Sequence, residues 1–248
     1  MKIRIFITLL VFAAVGQTLK AGQGVMFYKA GFPDVAKQVL LTDFKNDNSA
    51  KEETCYYLGN TYFLENNKDS AAYYFNEGLK INPAYAYNKV GLLMLRMKAL
   101  GEKELNTEMK NIFNDKANKK NKKDIDLYLS VGYAFFNCGM NAKAQEMLAK
   151  AKSINAKYPL IYVFNGDMLK DQNLGDACAN YETAIFYDPK CIEAYIKYAR
   201  TYKNASSSQA IDKLMQLKQL KSYSWISPTV KPTRDLVICW FRRDRYIL

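Results

Sequence analysis

The sequence predicts an all-α fold, a solenoid of antiparallel helical hairpins. Three observations lead there. A nine-residue segment recurs as CYYLGNTYF (Cys55 to Phe63), YNKVGLLML (Tyr87 to Leu95), YLSVGYAFF (Tyr128 to Phe136), YVFNGDMLK (Tyr162 to Lys170) and YIKYARTYK (Tyr195 to Lys203). Each begins with a large or apolar residue, has a glycine or alanine four positions later, and a bulky residue three beyond that. The small residues Gly59, Gly91, Gly132, Gly166 and Ala199 are separated by 32, 41, 34 and 33 positions, a period that marks helical repeat arrays. Second halves follow, such as SAAYYFNEGLKINP (Ser70 to Pro83) and AKAQEMLAKAKSINA (Ala142 to Ala156). Their apolar or small residues recur at three- and four-residue steps, as in Ala144, Leu148 and Ala151, the stripe of an amphipathic helix. The halves are joined by ENNKD, NCGMN, DQNLGD and KNASSS, rich in residues that stop one helix and cap the next.

The glycines call for an explanation, because each costs about 1 kcal/mol relative to alanine inside a helix. A close neighbour must therefore lie against that backbone. The sequence resembles the tetratricopeptide repeat family, whose pattern is met by Leu58, Gly59, Tyr62, Ala71, Phe75 and Pro83. Cys55 stands where the family has tryptophan, with Tyr87, Tyr128, Tyr162 and Tyr195 in the equivalent places. The resemblance implies a right-handed superhelix in which Gly59 and its equivalents mark where the two helices of a hairpin cross closely. Pro83 and Pro189 end second helices where the chain turns into the next hairpin.

In order along the chain, residues 1–21 read as an export signal. Lys2 and Arg4 precede an apolar run from Ile5 to Gly16 that is too short to span a bilayer, and small residues follow at Ala14, Gly16 and Ala21. An uncleaved anchor is the alternative. The expected location is outside the cytoplasm, in the periplasm or at the surface of a bacterium. The repeat array is expected over 24–220, beginning with a degenerate hairpin at 25–44, where Ala36 and Leu40 are spaced like Ala71 and Phe75. Repeats follow near 52–83, 84–115, 125–156, 159–189 and 192–220. The long step from Gly91 to Gly132 coincides with NDKANKKNKKD (Asn114 to Asp124), so 116–123 is expected to be a lysine-rich loop, either solvated or docking on an anionic membrane surface. From Tyr223 the repeat is lost, and 223–248 is either a makeshift cap or the mark of missing repeats; the latter fits better, since a cap is usually an amphipathic helix.

The composition narrows the chemistry. The 36 Lys plus Arg and 24 Asp plus Glu give a net charge of +12, which suits an acidic partner or anionic surface. No nucleic-acid recognition motif accompanies it, so nucleic acid is not expected as a partner. The absence of histidine removes His-based triads and HExxH zinc sites. The five cysteines form no CxxC, and Cys178, near a helix start, has no base partner. Glycine-rich phosphate loops and GxSxG are absent too. The expectation is a protein that is not an enzyme and uses no cofactor.

Binding is the better-supported role. The resemblance implies that first-helix residues line the concave wall: Tyr56, Asn60 and Phe63; Tyr85, Asn88 and Leu92; Leu129, Tyr133, Phe136 and Asn137; then Asp167, Lys170 and Arg200. Aromatics with amides and a few charges suit an extended peptide or a partner helix, although several of them could instead pack between repeats. Repeats that clamp the carboxylate tail of cytosolic chaperones need lysines where Tyr56 and Asp126 stand, so that subtype is not expected. The competing reading is a glycan-binding accessory protein at a bacterial surface, which would need Tyr56, Tyr85 and Tyr133 in one flat exposed platform.

Overall fold

The computed structural model describes residues 23–29, 31–45, 51–115 and 121–201. The expected export signal, residues 116–120 of the expected lysine-rich loop, the second half of the last repeat and the 223–248 tail lie outside them, while Asn121–Lys123 of that loop form a 3-10 turn. Among the described residues every regular element is helical. Five hairpins follow one another: α1 (Gln23–Lys29) with α2 (Pro33–Lys45), α3 (Lys51–Leu64) with α4 (Lys68–Ile81), α5 (Ala86–Arg96) with α6 (Glu102–Phe113), α7 (Ile125–Asn137) with α8 (Asn141–Ile154), and α9 (Pro159–Leu169) with α10 (Leu174–Tyr187). A further first helix, α11 (Ile192–Thr201), follows. The chain is an all-α solenoid of antiparallel hairpins.

The turns explain why each pair folds back. At the end of α1, Gly31 has φ +85° and donates its N–H to the Tyr28 carbonyl, while Phe32 N–H reaches Phe27. The same paired bonds close α3 around Asn66 (φ 59°) and α7 around Gly139 (φ 76°). This is the left-handed stop that satisfies the last helical carbonyls, and it needs glycine or asparagine to avoid a Cβ clash. The next helix is then capped: Asn67 Oδ1 accepts from Ser70 N–H at 3.0 Å, and Asn173 Oδ1 from Asp176 N–H at 3.1 Å. Asp124 does the same for α7, accepting from Leu127 N–H at 3.0 Å.

The core answers the glycine question. The ring of the fully buried Phe75 on α4 fills the place where a Cβ on Gly59 of α3 would go, and where one on Gly91 of α5 would go. One ring therefore locks its own hairpin and the one after it. Tyr181 on α10 lies 2.6 Å from the Cβ position of Gly166, and Leu40 on α2 lies 2.6 Å from that of Gly24. At Gly132 the neighbour is Phe164, also at 2.6 Å, but it comes from the following first helix α9. Leu58 and Ala71 are fully buried, and Tyr62 stacks on Tyr74 with centroids 5.3 Å apart.

The third hairpin departs from the pattern. Its first helix runs into a 3-10 turn at Met97–Ala99 before α6, which buries only Leu105 and Ile112. Between α6 and α7 lie the eleven residues Asn114 to Asp124, against four, Asn82 to Tyr85, between α4 and α5. That surplus of seven equals the excess of the 41-residue step over a 34-residue period. The segment's ends are anchored: Asn121 is buried with its amide on the Ile112 carbonyl at 2.8 Å, and Lys89 pairs with Asp115.

Alanine at Gly59 is expected to cost about 1–3 kcal/mol, the usual penalty for overfilling a packed core, because the Phe75 ring has Gly91 behind it. Gly175→Ala provides the contrast. Its Cβ meets nothing nearer than Asn173 Oδ1 at 3.5 Å, so helix propensity should make it neutral or stabilising by about 0.5 kcal/mol. Urea denaturation followed by circular dichroism measures both.

Candidate partner-binding wall

Successive first helices pack side by side in the order α1, α3, α5, α7, α9, α11, and they carry the residues expected to meet a partner. Counting from each small residue, those candidates occupy mainly the positions three before and one after it. The earlier position is buried every time: Tyr56, Asn88, Leu129, Val163 and Ile196. It faces the neighbouring helices. Asn88 is 0% exposed, lies against Gly78, and donates Nδ2–H to the Glu52 carbonyl at 2.9 Å. Asn60, also buried, turns its amide to its own helix at the Tyr56 carbonyl, 3.0 Å away.

Other polar candidates are joined to one another. The Tyr56 hydroxyl lies 2.6 Å from Ser130 Oγ on α7, two hairpins away. Tyr133 donates its hydroxyl to Asp167 Oδ2 at 2.6 Å, and Tyr181 donates to Oδ1 of the same carboxylate at 2.9 Å. Lys197 on α11 pairs with Asp167 and sits 5.6 Å from the Tyr133 ring centroid. Asp167 is 7% exposed; a carboxylate that deep is tolerated because a cation and two hydroxyls satisfy it. Arg200 reaches the Gly31 carbonyl at the far end of the array. The row of first helices thus curves until its two described ends touch.

The remaining candidates keep surface. Phe63, Tyr85, Leu92 and Phe136 are half-buried against the core, while Asn137 and Lys170, at the ends of α7 and α9, are exposed. Tyr85 stands 5.1 Å from the Tyr87 ring. Lys197, Ser130 and Tyr57 were missed, yet all lie two positions before a small residue, a register readable from the same repeat. Tyr57 meets the Tyr28 ring at 5.1 Å.

Burial governs the titrating groups. It pushes the Tyr133 hydroxyl well above its ordinary range, with the Asp167 charge adding to the effect, and it raises Tyr56 despite the opposing hydrogen bonds from Ser130 and Asn60. The thiols behave alike: burial, aided by nearby glutamates, lifts Cys55 and Cys191 to about 12. A nucleophilic thiol requires the opposite shift. Cys178 is buried as well.

Residues 52–85 match the tetratricopeptide repeat family. By that match this segment corresponds to one repeat of the family. It contains α3, α4 and the step into α5, so the Phe75 ring and Gly59 belong to the repeat itself. The hairpins on either side reproduce its helix order, and the first and fifth also reproduce its contact of a second-helix side chain on the first-helix glycine. Among solved structures, the chain is similar to a thermophilic TPR protein of Thermus thermophilus, at 21% identity over 72% of this chain and 95% of that one, with a TM-score of 0.43. It is similar to MamA at 16% identity, over 73% and 97%, with a TM-score of 0.40. It is also similar to the TPR2AB domain of yeast Sti1 in complex with pHSP90, at 13% identity, over 90% and 95%, with a TM-score of 0.38. No curated relative matches the sequence.

Removing one partner of the buried cluster should be costly. Asp167→Ala strands Lys197 and two hydroxyls and is expected to destabilise by about 3–5 kcal/mol, whereas Asp167→Leu with Lys197→Met removes the unpaired charge but still leaves Tyr133 and Tyr181 without this acceptor, and should recover only part of the loss; chemical denaturation of the single and double variants checks both. The tyrosines set an alkaline limit. Their folded pKa values lie above the unfolded value of 10.0, so the native state holds its phenolic protons more tightly. That stability is fully present below about pH 10 and is lost as pH rises through the folded values. A denaturation series from about pH 8 to about pH 11.5 should show a fall that begins near pH 9, where the buried thiols of Cys55 and Cys191 first favour the unfolded state, and that steepens above about pH 10.

Proposed function

We propose that the protein is a non-catalytic protein–protein interaction scaffold of the cell envelope, which takes a peptide or a partner helix along its first-helix wall. The observation that carries the reading is the mixed strip left on that wall: half-buried Phe63, Tyr85, Leu92 and Phe136, flanked by exposed Asn137 and Lys170. Apolar anchors held in place by the core, with polar groups at their edge, are what a peptide-binding surface needs. The anchors are fixed before a partner arrives, so little ordering entropy opposes binding. Tyr56, Asn60, Asn88, Leu129, Tyr133 and Asp167 serve this surface as its frame, holding the helices that display the strip.

The tyrosines favour a protein partner over a glycan. A flat sugar platform requires exposed ring faces, yet Tyr56 is 8% exposed and tied to Ser130, and Tyr133 is tied to Asp167 with its ring 4.2 Å from that of Phe164. Placement in the envelope rests on the export-type segment from Lys2 to Ala21. The lysines at 116–123 offer a second, electrostatic contact to an anionic membrane.

Crosslinking capture from the source organism's envelope tests the reading. The native chain is compared with an Asn137→Arg, Lys170→Glu variant, whose changes lie on exposed positions and leave the packed frame alone. The expected result is one specific protein, captured at least tenfold less by the variant. Equal capture by both chains would remove the strip as the site.

A further inference from the structure

The two described ends of the array meet through a side-chain-to-backbone hydrogen bond and side-chain packing. Arg200 on α11 donates an Nη1–H to the carbonyl of Gly31, in the turn after α1, and its guanidinium lies 4.6 Å from the centroid of the Phe32 ring. Beside this contact, Met26 and Phe32 pack on Ile192, Tyr195 and Ile196 of α11. The bonded residues are 169 positions apart, so nothing in the local chain enforces the contact. The turn makes it possible. Gly31 lies past the last helical residue, with a left-handed φ of +85°, so no intrahelical donor competes for its carbonyl. A Cβ there would stand 3.0 Å from the arginine nitrogen.

This joint differs in kind from the others in the wall. Elsewhere, neighbouring hairpins are locked by a side chain against a glycine backbone, as Phe75 locks Gly59 and Gly91, and as Phe164 locks Gly132. Here the seam includes a charge-assisted hydrogen bond, a cation–ring contact and a small apolar cluster. The element it holds is also the weakest: α1 has seven residues and buries only Gly24, too short to persist without packing on both sides. Its Tyr28 ring leans on Tyr57 and its Lys29 ammonium lies 5.9 Å from that ring, so α1 occupies the same wall that displays the binding strip.

We propose that the first hairpin is a latch on the binding wall, clasped at Gly31 and Phe32 by Arg200, and that a protein partner binds with the clasp open. The purpose assigned to the latch rests on the partner-binding reading; the latch itself does not. If only the open fraction is competent, the affinity seen for the native chain is reduced by that fraction, and loosening the clasp raises it.

Hydrogen exchange on the full chain tests the clasp without a partner. Native protein is compared with Arg200→Ala, which removes the hydrogen bond and the cation–ring contact, and Arg200→Lys, which keeps the charge without the planar guanidinium. The expected result is exchange at least tenfold faster at the amides of 25–29 in Arg200→Ala, with Arg200→Lys intermediate and the amides of 58–63 unchanged. Exchange at 25–29 within twofold of native would overturn the latch, as would equal acceleration of both segments, which would make Arg200 a general structural residue. The crosslinking capture then reads its role: at least fivefold more of the same captured protein with Arg200→Ala supports it, and unchanged or lower capture overturns it. If the native chain captures nothing, the partner-binding reading fails while the exchange result still decides the clasp.

Discussion

The structure depends on a ring pressed against a helix backbone. Where α3 crosses α4, a side chain on Gly59 would occupy the space held by the Phe75 ring, and the same ring reaches Gly91 on the next hairpin. Contact of this kind fixes how closely helices approach, and so fixes the angle at which one hairpin follows another. A packed interior does not stretch to absorb an added methyl group. Because the approach is set repeatedly, at Gly24, Gly59, Gly91, Gly132 and Gly166, small steps accumulate into a wall whose ends meet.

The wall that results spends much of its polarity on itself. Tyr56 bonds Ser130 across two hairpins, and Tyr133, Tyr181 and Lys197 converge on Asp167. Such a cluster adds less to stability than its number of bonds suggests, since each buried charge was first removed from water. What it provides is registration. A carboxylate satisfied by groups from two other first helices and one second helix tolerates few alternative arrangements of those helices. Apolar and amide groups outside the cluster keep free surface at Phe63, Tyr85, Leu92, Phe136 and Asn137, which divides the first helices into frame and display.

Much of this was legible in the sequence, for physical reasons. Hairpins declare themselves through the glycine period, and turns through residues that tolerate a left-handed backbone or cap a helix. Gly24 was overlooked as the first small residue, although it lies 35 positions before Gly59, because its helix is too short to show a stripe. At Gly91 and Gly132 the sequence implied a partner from the same hairpin, but Phe75 of the preceding one and Phe164 of the next one supply it, with Met147 Cβ of α8 at 3.5 Å from the second. Family position assigned Asp167 to the wall; it could not show that Lys197 would answer its charge. The Arg200 contact was the least legible feature, because closure depends on curvature summed over every joint between, and no local period encodes that sum.

The most direct test of the central claim is a double-mutant cycle at the first of these contacts, measuring the cost of Gly59→Ala in the native chain and in a Phe75→Val chain. If the ring is what excludes a Cβ, the smaller valine makes room, and the glycine substitution should cost less in that background by at least about 1 kcal/mol, a coupling expected of residues in direct contact. The same cost in both backgrounds, to within about 0.5 kcal/mol, would mean that the glycine answers to something other than the ring, and the account of how the hairpins are spaced would fall with it.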